Sequence, residues 1–183
     1  FKVASEDDLD QAASFYADKG CATAWVERYA QGRTLHVDDP FGIPLEFYYK
    51  MEHRELLLQQ YTLYKGARIQ RIDHFNLFSN DVNTMTAFYV EELGFRMTEA
   101  TVADIKDEDS DLWGTWLHRR GGVHDIAFTN GLGPRLHHIG VYVSTAMDVI
   151  NFCDRLASSD HKDAFERGPG RHGISNAFFL YIL

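Results

Sequence analysis

The sequence predicts an α+β chain built from tandem βαβββ modules, and three observations carry that reading. One segment type occurs twice, as Arg71-Ile72-Asp73-His74-Phe75-Asn76-Leu77-Phe78 and as Arg135-Leu136-His137-His138-Ile139-Gly140-Val141-Tyr142. Both copies run Arg, aliphatic, polar, His, apolar, small or polar, aliphatic, aromatic, and both lead into a short polar turn and an amphipathic helix. The spacing of about 64 residues suits a duplicated supersecondary unit better than a solenoid.

The elements follow in order. Ser5-Glu6-Asp7-Asp8 is a capping-box-like start, and Leu9, Ala12, Ala13 and Tyr16 continue with helical periodicity up to Gly20. Segments 22–28 and 33–37 read as strands; Asp39-Pro40-Phe41-Gly42 is a turn before a strand over 44–48. This is the second part of a βαβββ unit. Residues 51–68 form a polar, Tyr-containing linker. A second unit opens at Ile69 with strand 71–78. A helix over 81–93 follows, with Val82, Met85, Tyr89 and Leu93 on one face, and Gly94 ends it. Strands are expected at 95–104, 112–118 and 123–128, broken by the acidic loop 106–111. A third unit opens at Arg135, with a helix over 146–156 carrying Met147, Ile150, Cys153 and Leu156, and its last strand spans 176–183. Gly168-Pro169-Gly170 taken alone is a loop signal. It is no phosphate loop, because no GK[ST] accompanies it.

Composition narrows the function classes. The 183 residues are 45% apolar and 25% charged, enough for a real core. A net charge of −9 argues against nucleic acid or an anionic membrane as partner. Cys21 and Cys153 make neither a disulfide framework nor a zinc motif. No apolar run approaches the roughly 20 residues of a membrane span and none resembles a signal peptide, so a cytoplasmic setting is the default. The chain opens without Met and ends in an apolar strand, and reads as a piece of something longer.

The chemistry centres on His74 and His138, which occupy equivalent places in the duplicated segments. Neutral imidazole is the commonest protein metal ligand, so a repeated histidine suggests a metal held between modules. His137 neighbours His138 on a strand and should point to the opposite face. In the first unit, strand 33–37 leads through its Asp-Pro-Phe-Gly turn to Glu46. The third unit stops where its own turn and closing strand should come. A glutamate completing a two-His, one-carboxylate triad is therefore expected about eight residues beyond Leu183. Glu46 itself is not read as a ligand, since no paired histidines are visible in its module.

Four segments carry a family resemblance: Arg71 to Asn76, Val123-His124-Asp125, Gly133 to His138, and Glu166-Arg167-Gly168-Pro169-Gly170-Arg171-His172-Gly173-Ile174-Ser175-Asn176-Ala177-Phe178. They resemble the type I extradiol catechol dioxygenases of the vicinal oxygen chelate superfamily, over essentially the whole chain. The resemblance implies modules curled around a metal pocket. Residues 1–50 would be the second module of an N-terminal domain, and 69–183 a C-terminal metal-binding domain lacking its closing strand. By position it implies His74 and His138 as metal ligands, His124 as acid–base group, and Tyr181 as a hydrogen-bonding partner of a substrate oxygen. Asn76 and Trp116 would line the pocket, and Arg167 and His172 would contact an anionic catechol; Arg171 falls off the contact position and is structural. Fe(II) or Mn(II), O2, a catechol substrate and a homotetramer follow from the same resemblance.

Overall fold

In a computed structural model the described residues are 1–54, 63, 66–107 and 109–183, and they divide into two compact units, residues 1–54 and the described residues from 63 onward. Much of the linker read over 51–68 lies outside the described residues.

In the first unit, helix α1 (Glu6–Asp18) begins where the capping signal places it, with the Ser5 side chain accepting a hydrogen bond from the Asp8 amide. Its buried residues Leu9 and Tyr16 lie seven apart, the spacing of one helical face. Strands β1 (Thr23–Arg28), β2 (Gly32–Asp38) and β3 (Pro44–Tyr48) form an antiparallel sheet in that order. Leu35, Val37, Ile43 and Leu45 are buried with Leu9 and Tyr16. Glu46 is occupied: it accepts from Arg28 and Gln31 and meets His36, its cross-strand neighbour, at 2.9 Å. A histidine therefore does stand beside Glu46, where the sequence reading saw no pair, and it serves an ion-pair cluster.

The second unit is built on a five-stranded sheet of order β5-β6-β7-β4-β8, comprising β4 (Ile69–Ser79), β5 (Arg96–Val102), β6 (Leu112–His118), β7 (Ile126–Asn130) and β8 (Arg135–Val143). The two copies of the duplicated segment are β4 and β8, and they pair antiparallel with each other, while β4 pairs parallel with β7. Helix α2 (Val82–Ala87), capped by Asp81, runs on into a single π turn over Phe88–Glu92. Its face of Val82, Met85 and Tyr89 is buried, with the Tyr89 ring on Phe128 and Phe95. Thr86 meets Thr115 at 2.8 Å beneath it. Helix α3 (Ala146–Ala157) starts in a complete capping box of Thr145 and Asp148.

Two readings need correction. Segment 123–128 becomes strand only from Ile126, because the Asp125 carboxylate turns back to accept the amides of Arg119 and Arg120, so His124 sits on a loop. The Gly168-Pro169-Gly170 run, read as loop, lies inside strand β9 (Phe165–Arg171), which pairs with β10 (Phe178–Ile182) in a separate two-stranded sheet. The pairing shifts register between Phe179 and Tyr181, which accommodates the proline. Gly168 has φ +98°, and a Cβ there would lie 2.8 Å from the Phe179 carbonyl oxygen, so that position requires glycine. No helix among the described residues is long and apolar enough to cross a membrane.

Candidate metal centre

Alternation along strands sorts the central sheet into two faces. Thr115 and Phe128 face α2. Asn76, Ala127 and Trp116 stand in one cross-strand row with His138, on the opposite face. His74 lies two residues from Asn76 on that same face, and its Nε2 meets His138 Nε2 at 3.1 Å. Trp116 is half-buried; Asn76 is buried and accepts from the Thr129 hydroxyl at 3.0 Å.

The two rings are held from behind. His74 Nδ1 lies 3.0 Å from Asp73 Oδ2, and Asp73 is itself paired with Arg71 at 2.5 Å. A carboxylate on Nδ1 places the ring proton there and leaves Nε2 as a lone pair. His138 Nδ1 lies 2.9 Å from His137 Nδ1. The strict alternation expected for His137 fails because the β4–β8 register shifts between Asn76 and Leu77, a bulge that keeps the exposed His137 beside its neighbour. Burial, then neighbouring His74 and His137, pushes the His138 pKa down to about 4, so it is a neutral imidazole near neutrality.

The 3.1 Å approach of the two Nε2 atoms is satisfied either by a ring proton on one of them or by a cation between them. Imidazole–metal bonds of about 2.1 Å at a right angle span about 3.0 Å. The residues therefore fit a divalent metal ion. Among the described residues, no group of three or more His, Cys, Asp or Glu side chains is arranged to hold one.

Around the pair stand the other sequence-singled residues. The His124 ring centroid is 4.2 Å from that of His74. His124 is 8% exposed, and its Nδ1 is buried without a hydrogen-bond partner among the described residues. Burial, then His74, pushes its pKa down to about 4. From the β9–β10 sheet, Tyr181 sets its ring 5.1 Å from His138 edge-on, and its hydroxyl is 3.5 Å from His172 Nε2. Arg167 is the cross-strand partner of Tyr181 and lies over its ring at 5.7 Å. Arg171 donates to the Asn176 carbonyl and packs on Phe178, a contact that holds the 172–177 loop.

Sequence reasoning missed Gly140. A Cβ there would sit 2.2 Å from His74 Cε1, so the ring occupies the space a side chain would fill. The glycine in the second copy, where the first has Asn76, was the available signal. Also missed were Asp73 and Asp125, which bond the ring of His74 and the loop of His124.

Duplicated strands thus bring one histidine each to a common point, next to a buried imidazole whose Nδ1 has no hydrogen-bond partner among the described residues. The chain belongs to the Glyoxalase/Bleomycin resistance protein/Dioxygenase superfamily, whose family model matches residues 71–182. It is 30% identical over 191 residues to a manganese-dependent 2,3-dihydroxybiphenyl 1,2-dioxygenase of Geobacillus genomosp. 3, an alignment that covers 96% of this chain and 59% of that protein. The crystal structure of homoprotocatechuate 2,3-dioxygenase from Arthrobacter globiformis matches with TM-score 0.92 and 41% identity, over 100% of this chain and 56% of that one. The Brevibacterium fuscum homoprotocatechuate 2,3-dioxygenase, in complex with 3,4-dihydroxyphenylacetate, matches with the same score and identity, over 100% and 57%. The chain thus spans less than two thirds of the length of each of these relatives.

Proposed function

We propose that the protein to which this chain belongs is an extradiol ring-cleaving dioxygenase that inserts both atoms of O2 into 3,4-dihydroxyphenylacetate, giving a muconic semialdehyde. The convergence of His74 and His138 Nε2 atoms beside His124 carries the reading. The 41% identity to homoprotocatechuate dioxygenases supports the choice of substrate.

His74 and His138 would hold Fe(II) or Mn(II), with a glutamate from outside these 183 residues completing the set; imidazole and carboxylate suit either ion. The metal, when bound, supplies a Lewis-acid anchor for a catecholate and a redox route to O2. His124 is the acid–base group. Neutral, and without a hydrogen-bond partner at Nδ1 among the described residues, it can accept a catechol proton and return it to an oxygen of the opening ring. Tyr181 donates a hydrogen bond to a substrate oxygen from the side of His138. Arg167 and His172 supply basic groups for the substrate carboxylate in a chain of net charge −9. Asn76 and Trp116 wall the pocket. The same resemblance carries the rest of the proposal: a homotetramer working in the cytoplasm.

The test is O2 uptake by the complete polypeptide with added Fe(II) or Mn(II), using 3,4-dihydroxyphenylacetate, catechol and 2,3-dihydroxybiphenyl. A yellow product matching O2 loss, fastest with the carboxylate-bearing catechol and lowered about 10²–10⁴-fold in His124→Asn, is expected. Equal turnover of the three catechols removes the substrate assignment, and no turnover of any removes the activity.

A further inference from the structure

The His124 ring faces a requirement that its own bonds do not meet. Its Nδ1 has no partner among the described residues, yet the ring must stay within reach of His74. Its orientation has to come from the chain on either side of it. Asp125, the next residue, is bonded on every side. Its amide donates to the Leu117 carbonyl on β6 at 2.8 Å, and its carbonyl accepts from the Phe75 amide on β4 at 3.1 Å. Its carboxylate Oδ2 accepts the Arg119 and Arg120 amides at 2.7 and 3.0 Å, and Oδ1 accepts Arg120 Nε at 2.6 Å and faces Nη2 at 2.5 Å. The same Arg120 then reaches the Asp73 carbonyl at 3.3 Å.

These bonds bracket His74. Phe75 on one side of it is tied to Asp125, and Asp73 on the other side is tied to Arg120, which Asp125 holds. We infer that Asp125, with Arg120 as its bridge, is the positioning residue that fixes His124 against His74. Arg120 remains largely in water, whereas the Asp125 side chain is 17% exposed, so the carboxylate anchors the network. Their role is geometric, and a misplacement of about 1 Å in such a group costs about 10²-fold in rate.

The inference rests on the proposed activity for its kinetic consequence but not for its structural one, so the two are measured separately. In the complete protein loaded with Zn(II), NMR detects the nuclear Overhauser contact between the His74 and His124 rings. Asp125→Ala should abolish that contact while the dispersed backbone spectrum remains. In the protein loaded with Fe(II) or Mn(II), the same variant should lower kcat on 3,4-dihydroxyphenylacetate about 10²-fold. Bound metal and KM should stay unchanged, and product formed per O2 consumed should fall below one. Arg120→Met keeps every backbone bond of Asp125 and should shift the ring contact and kcat in the same direction, less far; it serves if Asp125→Ala fails to fold. An intact ring contact in both variants, or a kcat loss matched by loss of bound metal, overturns the inference. Lack of turnover in the wild type would strike the proposed activity and leave the NMR comparison to decide on Asp125.

Discussion

Replacing Gly140 with alanine tests the metal centre without touching a ligand. The new methyl would lie 2.2, 2.5 and 2.6 Å from Cε1, Nδ1 and Nε2 of His74. Carbon atoms pack at about 3.5 Å, so the ring must retreat by roughly 1.3 Å or the β4–β8 pairing must open. Either movement disturbs the 3.1 Å approach to His138 and the 3.0 Å bond to Asp73 together. Losses of this kind typically weaken metal binding about 10–100-fold, equivalent to about 1.4–2.8 kcal/mol. The assay is competition of the complete metal-free protein against a coloured chelator for Mn(II) or Fe(II), with thermal unfolding run alongside. Gly170→Ala is the control, since a Cβ there meets Phe179 only at an ordinary 3.7 Å. Affinity within twofold of wild type for Gly140→Ala, at unchanged stability, would refute the reading of this glycine as the space His74 needs.

Two further predictions concern the cores. The Tyr16 hydroxyl is buried without a hydrogen-bond partner among the described residues, and burial, then Asp39, raises its pKa. The folded state thus resists ionisation that the unfolded chain undergoes near pH 10, so stability falls as pH rises above about 10. Tyr16→Phe should flatten that alkaline limb and stabilise by about 1 kcal/mol at neutral pH, read from urea unfolding at several pH values; an unchanged limb would count against it. Phe128 is fully buried with the Tyr89 ring 4.8 Å away. Phe128→Ala should cost about 3–5 kcal/mol in the same assay, and a loss under about 1 kcal/mol would show that α2 does not depend on it.

Most elements were legible because local signals and burial agree. Ser5 marks a helix start that the structure caps with that side chain, Asp81 and Thr145 cap the two helices that periodicity alone had placed, and the period-2 and period-3.6 patterns put β2, β4, α1 and α3 within a few residues. The misreadings come where side chains bond the backbone or where a register shifts. Asp125 diverts 123–125 from the strand through bonds to amides that no periodicity encodes. Gly168 and Pro169 read as loop because their composition is that of a turn, yet an edge strand with an irregular partner accepts them. The duplicated histidines were visible as a repeat, and their convergence depends on antiparallel pairing between the copies. His137 shows the limit: alternation sends it away from His138, and only a bulge brings it back.

The β4–β8 seam has a consequence for how such a chain can vary. Sliding one strand by one residue would turn an imidazole to the helix-covered face, and sliding it by two would carry the rings about 7 Å apart along the strands. The histidines consequently measure alignment between the repeats, much as two marks on a vernier scale do. The irregular pairings near Ile72, and between Asn76 and Leu77, set the zero of that scale. Insertions in the outer loops leave it untouched, whereas a single residue gained or lost within 69–79 or 135–143 would erase the coincidence while preserving both histidines in the sequence.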